Sequence, residues 1–374
     1  MTEKKPIITV KVGTSSLTAG EQTLKRHLMV DIVRQIAQLK QQGHSVLLIT
    51  SGAIAAGRHI INNKVRLNRS LPTKQMLAAI GQLELMQAWR DLFSIWEIAI
   101  GQVLLTRADI CQRQGYLNIR DTLHTLLAHG VVPIINENDT VATDEIKVGD
   151  NDNLAALVAN VVCADLLVLL TDQEGLLSGD PRKEQAPQLI PLVECIDAST
   201  YALIGAGAGT QGTGGMATKL QAAQLATHSG TTVIIASASR KDVLIQLAAG
   251  EKIGTTFIPK ITLRESRKRW LLSEKPQGSI AIDAGAAMSL VRSGASVLPA
   301  GVKKVASHKA FERGALVEVL DPEASPLAVG LVNYSSKEIE LIAGLHSSAI
   351  TERLGYSYGH EIIHRDNIAL LTKQ

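Results

Sequence analysis

At 374 residues the chain exceeds one ordinary core and implies a larger and a smaller domain. Hydrophobic residues make up 45% and charged residues 20%, a globular balance that excludes a disordered chain, while 3% aromatics leaves the cores to Ala, Val, Ile and Leu. The net charge of +3 is uneven: Lys plus Arg against Asp plus Glu stand at 23 and 23 over residues 1–259, 6 and 2 over 260–275, and 9 and 10 over 276–374, so neither domain carries the broad basic field of a nucleic-acid binder.

Taken in chain order, the N-terminal residues 1–6 are basic. Residues 7–10 are too short for a signal-peptide core, and Lys11 interrupts them. No apolar run reaches the roughly 18 to 20 residues of a membrane span, so a cytoplasmic protein is expected. Residues 7–11 read as a buried strand. Met29, Ile32, Val33, Ile36 and Ala37 then recur at helical spacing, with Gly43 placed to end that helix. Strands are expected at 45–49, 99–105, 131–136, 165–171 and 232–236, with helices between most of them. This alternation predicts an αβα sandwich around a mostly parallel open sheet. Residues 260–275, with Lys260, Arg264, Arg267, Lys268, Arg269 and Lys275, read as a basic linker. Beyond it, short strand-like runs at 279–283, 296–298, 316–320 and 328–334, separated by Gly, Pro and Asp, predict a small β-barrel-like domain over 276–374. The larger domain is then 1–259.

In open parallel sheets, ligands bind beyond the C-terminal strand ends. Here those ends carry Gly13, Thr14 and Ser15; Ser51 and Gly52; Asn136 to Asp139; and Thr171 with Asp172. Lys11, charged and at the end of a buried strand, is costly there unless it faces an anion. Thr213, Gly214, Gly215, Met216, Ala217, Thr218 and Lys219 lead into a helical pattern, which presents N–H groups and a positive dipole end to phosphate. The Asx-rich segments 136–139 and 149–153 are suited to hold the ammonium and carboxylate of an amino acid, although such residues also build plain turns.

Other features exclude alternatives. Cys111, Cys163 and Cys195 form no CxxC, the histidines form no HExxH, and no metal cage is expected; Cys163 reads as a small buried hydrophobe. Gly207, Gly209 and Gly212 satisfy GxGxxG, but the acidic residue that a dinucleotide site needs about 20 residues on is missing. His364, Arg365 and Asp366 imitate a protein-kinase catalytic loop with only eight residues left to follow it. No GxxxxGK[ST] is present.

The ordered segments KVGTS (11–15), TSGAIAAG (50–57), LTRAD (105–109), INEND (135–139), VGDND (148–152), LTD (170–172) and GTGGM (212–216) together resemble the amino acid kinase family over about residues 7–260. The C-terminal portion resembles a PUA domain. The resemblance implies the amino acid kinase fold and transfer of a phosphoryl group from ATP, with Mg²⁺ carried mainly by the nucleotide, to the side-chain carboxylate of L-glutamate. It implies that Lys11 and Lys219 bind the phosphoryl groups from opposite sides while Asp152 holds both lysines. Ser51, Asp139 and Asn151 would contact glutamate. Thr171, Asp172 and the loop Thr213, Gly214, Gly215, Met216, Ala217, Thr218, Lys219 would contact the nucleotide. Feedback by proline, a glutamyl phosphate reductase partner and a homo-oligomer follow as family expectations. Relatives acting on aspartate, acetylglutamate or carbamate stay open at this point. So does an RNA-binding role for the C-terminal domain, against which its near-neutral charge argues.

Overall fold

The computed structural model describes residues 6–19, 21, 23–61, 70–142, 151–179, 187–204, 215–307 and 309–371, and the chain divides into two units, Met1–Thr262 and Leu263–Gln374. Among the described residues of the first unit, eight strands form one sheet: Ile7–Val12 (β1), Ser45–Ile49 (β2), Ile100–Leu105 (β3), Val132–Glu137 (β4), Leu166–Thr171 (β5), Leu192–Val193 (β6), Thr232–Ser237 (β7) and Thr255–Phe257 (β8). Their order across the sheet is β3-β4-β2-β1-β5-β7-β8-β6. Every pairing is parallel except β7 with β8.

Alternation along β1 explains the two covered faces. Ile8, Val10 and Val12 enter a core with the helices Arg26–Gln41 and Leu71–Ser94. Ile7 enters the opposite core with the helices Asn151–Val162 and Met216–His228. Thr9 and Lys11 share the parity of Ile7, so Lys11 faces the second pair of helices. The chain runs from β1 to β2 on one side and later from β4 to β5 on the other. This puts β1 at the switch point, where the strand ends open a crevice.

Ser51 and Gly52 follow β2, with Gly52 at φ 106 capping the helix Ala53–Ile60. That left-handed turn is open to glycine at little steric cost. The helix then crosses Leu71–Ser94 backbone to backbone. A methyl group on Gly81 would overlap the Ala53 carbonyl oxygen and the Gly57 amide nitrogen; one on Gly57 would overlap the Leu77 carbonyl. Gly81→Ala should therefore lower stability by about 1–3 kcal/mol through overpacking, read as a fall in Tm. An unchanged Tm would show that the crossing relaxes freely.

The second unit holds Gly278–Ile282 (β9), Val302–Val305 (β10), Leu316–Leu320 (β11), Pro326–Leu331 (β12) and Ile368–Leu370 (β13), in the order β10-β9-β11-β12-β13. Ile280, Val317, Val319, Tyr334 and Ile363 form its core. Two expectations differ here. Within 260–275, Leu263–Ser273 is a helix, and Leu271 packs with Leu316, Val329 and Leu331 in a small apolar cluster of this unit. Residues 296–298 are not a strand: only Val297 pairs, in a single bridge to Ile363, and Pro299 opens a short 3-10 turn directly after them. Among the described residues no helix is long and apolar enough to cross a membrane.

Candidate active site

The strand ends sort the site into two halves. β2 and β4 lie on one side of β1, and β5 and β7 on the other, with β1 in the middle. Adjacent strands are spaced by about 5 Å, so the ends of β2 and β5 stand about 10 Å apart with Lys11 between them.

Asp152 is the second residue of the helix Asn151–Val162, where a negative charge meets the positive end of the helix dipole. Lys11 Nζ lies 2.7 Å from its Oδ1, and Lys219 Nζ lies 3.3 Å from its Oδ2. Thr218 Oγ1 donates to the same Oδ2 at 2.7 Å. The three charged side chains are 4%, 0% and 6% exposed for Lys11, Asp152 and Lys219. Inside the fold, two ammonium groups thus share one buried carboxylate. Burial alone would push the Asp152 carboxyl up, but the charges of Lys11 and Lys219 and the hydrogen bonds from Lys11 and Thr218 overcome it and hold the carboxyl below the ordinary aspartate value. Lys219 is displaced the other way. Burial pushes its ammonium below the ordinary lysine value and the like charge of Lys11 adds to that, while Asp152 and Asp172 offset it only in part.

Local structure favours anions around these lysines. Lys219 occupies the first turn of Met216–His228, an electrostatically unfavourable place for a cation, and Gly215 caps that helix with no atom of the described residues within 4 Å of where its side chain would begin. At Gly13, with an ordinary extended backbone, a methyl group would stand 3.5 Å from Lys11 Nζ and fill the space in front of the ammonium. Neither glycine is required by its backbone angles. Gly13 leaves room beside Lys11.

On the β2/β4 side, Asn151 Nδ2 donates to the Thr50 carbonyl (3.2 Å), Ser51 Oγ (2.9 Å) and Asn136 Oδ1 (3.2 Å). Asn151 Oδ1 is buried with no hydrogen-bond donor among the described residues. Asp139, two residues beyond β4, has its carboxyl pushed up by burial. On the other side, Thr171 ends β5 and donates to Asp172 Oδ1 at 3.0 Å.

The structure therefore brings Lys11, Asp152, Thr218 and Lys219 into contact and joins Ser51 to Asn151. Asp139 sits beyond the end of β4, on the Ser51 side of β1, and Thr171 and Asp172 at the end of β5. Thr213, Gly214, Gly149 and Asp150 lie outside the described residues, as do Gly207, Gly209 and Gly212. Met216 and Ala217 open the helix that carries Lys219. Cys163, expected to be buried, is only partly so: it follows the helix Asn151–Val162 in a left-handed conformation at φ 52. Cys111 and Cys195 are exposed. Among the described residues, no group of three His, Cys, Asp or Glu side chains converges as a metal site would require. Sequence reasoning missed Gln82 and Trp89. Gln82 accepts from Asn136 and Trp89 donates to Thr50, contacts across more than 35 residues that no local pattern announces.

Comparison with known proteins places this geometry. The amino acid kinase family matches residues 6–237, and the PUA domain matches residues 278–354. The chain is 50% identical over 368 residues to the glutamate 5-kinase of Photobacterium profundum, covering 98% of this chain and 97% of that one. It is 50% identical over 362 residues to the glutamate 5-kinase of Herpetosiphon aurantiacus (96% and 97%), and 48% identical over 372 residues to that of Aliivibrio fischeri (99% and 100%).

Proposed function

Because the chain belongs to the amino acid kinase family and shares 50% identity with a glutamate 5-kinase over nearly its whole length, we propose that it phosphorylates the side-chain carboxylate of L-glutamate with ATP. The products are ADP and L-glutamyl 5-phosphate, and the reaction is the first step of proline biosynthesis. The observation that carries this reading is the buried pairing of Lys11 and Lys219 on Asp152, at the midpoint between an amide-lined half and a helix N-terminus.

The chemistry needs little more. A glutamate side chain has a reference pKa of about 4.3 and is ionised at neutral pH, so it needs no general base. One carboxylate oxygen forms a bond to the γ-phosphorus as the bond to the bridging oxygen of ADP breaks. The obstacle is that one anion must approach another. Lys11 and Lys219 neutralise the phosphoryl oxygens from two sides, and Asp152 holds both ammonium groups in place. The Met216–His228 helix, its preceding residues Thr213, Gly214 and Gly215, and Thr171 with Asp172 bind the nucleotide. Mg²⁺, carried mainly by the nucleotide, supplies further neutralisation of phosphate charge. Ser51, Asn151 and Asp139 hold glutamate, the two oxygen-bearing groups Asn151 Oδ1 and Asp139 suiting its ammonium.

The test is hydroxamate trapping of the acyl phosphate with purified protein, ATP and Mg²⁺. Glutamate should give γ-glutamyl hydroxamate, whereas aspartate, acetylglutamate and carbamate should give little ADP release. The reverse preference would overturn the substrate. Asp139→Ala should raise the KM for glutamate by about 10-fold or more, the scale of losing a hydrogen bond to a charged group, while leaving the KM for ATP within about twofold. An unchanged glutamate KM would remove Asp139 from the acceptor site.

An acyl phosphate reacts with water and with its own amine, which gives a reductase that receives it directly a chemical purpose. Feedback by proline, homo-oligomer assembly and a cytoplasmic location belong to the same reading.

A further inference from the structure

We propose that Gln82 is a positioning residue for the acceptor half of the site, acting through Asn136 on Asn151. This rests on the proposed acceptor site and adds a residue from outside the strand-end motifs. Two backbone groups fix the sense of every amide in the chain. The Glu137 N–H donates to Asn136 Oδ1 at 2.9 Å, so that atom must be the oxygen. The Thr50 carbonyl accepts from Asn151 at 3.2 Å, so that atom must be the nitrogen. Asn136 Oδ1 then accepts from Asn151, which leaves the Asn136 amide nitrogen directed at Gln82. Gln82 Oε1 accepts from it at 2.8 Å. Remove that oxygen, and a buried donor on Asn136 loses its partner. The simplest relief is rotation of Asn136, which withdraws the oxygen that Asn151 uses.

Gln82 is not isolated on its helix. Gln75, Gln82 and Trp89 are seven residues apart, close to two helical turns, and so lie on one stripe of Leu71–Ser94. Gln75 Nε2 donates to the Ala142 carbonyl (3.1 Å), Gln82 accepts from Asn136, and Trp89 Nε1 donates to Thr50 Oγ1 (3.0 Å). All three partners follow or end β2 and β4. The helix braces these two strands and the residues that follow them at three points; the middle brace holds the side-chain amide of Asn136, and the Trp89 brace holds Thr50, whose carbonyl also accepts from Asn151.

The test is a double-mutant cycle read as KM for the carboxylate acceptor. Gln82→Met, close in shape but without the acceptor oxygen, should raise the KM for glutamate by about tenfold, with the KM for ATP within about twofold. Gln82→Glu keeps an oxygen opposite Asn136 and should stay within about threefold of the unaltered chain. In an Asn136→Ala background, Gln82→Met should add nothing further. Additive losses, equal damage from Glu and Met, or a parallel rise in the KM for ATP would each overturn the assignment. The unaltered chain assayed with the carboxylate panel separates this from failure of the substrate reading. If another carboxylate is the acceptor, the same cycle is read on that carboxylate with the same outcomes.

Discussion

Lys11→Ala and Lys219→Ala should each lower kcat by roughly 10²-fold or more, the scale on which a single preorganised transition-state donor acts. The expectation follows from where the ammonium groups are. Each is nearly inaccessible to solvent and each leans on the same carboxylate, so neither is a surface charge that salt would replace. Water entering the space of either side chain would supply neither the charge nor its orientation. The losses should appear in kcat for both variants, with folding checked by a cooperative thermal transition. Near-normal kcat in a folded Lys11→Ala protein would remove the phosphoryl role.

The depressed Lys219 gives this expectation a pH signature. Since burial holds its pKa below the ordinary lysine value, kcat/KM for ATP, which reports the free enzyme, should fall on the alkaline side at a pH below the usual lysine range near about 10.4. Lys219→Arg stays charged throughout, although its planar fork fits differently. It should show a lower plateau without that alkaline limb. The same limb in both proteins would assign it to another group.

How much of this could be read from the chain depends on the range of each contact. Six of the eight described strands of the first unit were legible because runs such as Leu166–Thr171 are apolar and β-branched or Leu-rich and end in polar residues; β6 and β8, two and three residues long, are too short to show a pattern and were missed. Lys11 was legible for a related reason: alternation puts it on a buried face, where only an anion or an acid explains it. The partner that does so, Asp152, carries no local mark beyond its Asx-rich surroundings; its role came from family resemblance, and its contact with both lysines needs the fold. Leu71–Ser94 hides its part in the site, because apolar residues surround it and its hydrogen-bonding stripe has meaning only beside β2 and β4. Leu263–Ser273 was concealed by charge. Lys268 and Arg269 lie exposed, while Leu271 packs against Leu316, Val329 and Leu331. Residues 296–298 are β-prone but too short before Pro299 to do more than bridge.

Asp152→Asn tests the centre of the site from the other direction. The substitution keeps the shape and removes the one charge on which both lysines lean, leaving buried cations without their counterion. Breaking a buried pair in this way costs about 3–5 kcal/mol. The pH dependence has a definite sign. A carboxyl whose pKa is depressed in the fold contributes stability above the ordinary aspartate pKa, and that contribution disappears as pH falls through the depressed value. The gap between the two proteins in urea unfolding should therefore be fully open at neutral pH and close in strong acid. Turnover should drop at least as far as in either lysine variant, since both ammonium groups lose their orientation. Nucleotide binding should nevertheless survive, because phosphate oxygens inherit the ammonium groups that the carboxylate gave up. A KM for ATP that climbs in step with the fall in kcat would mean that Asp152 shapes the nucleotide pocket instead of restraining the lysines.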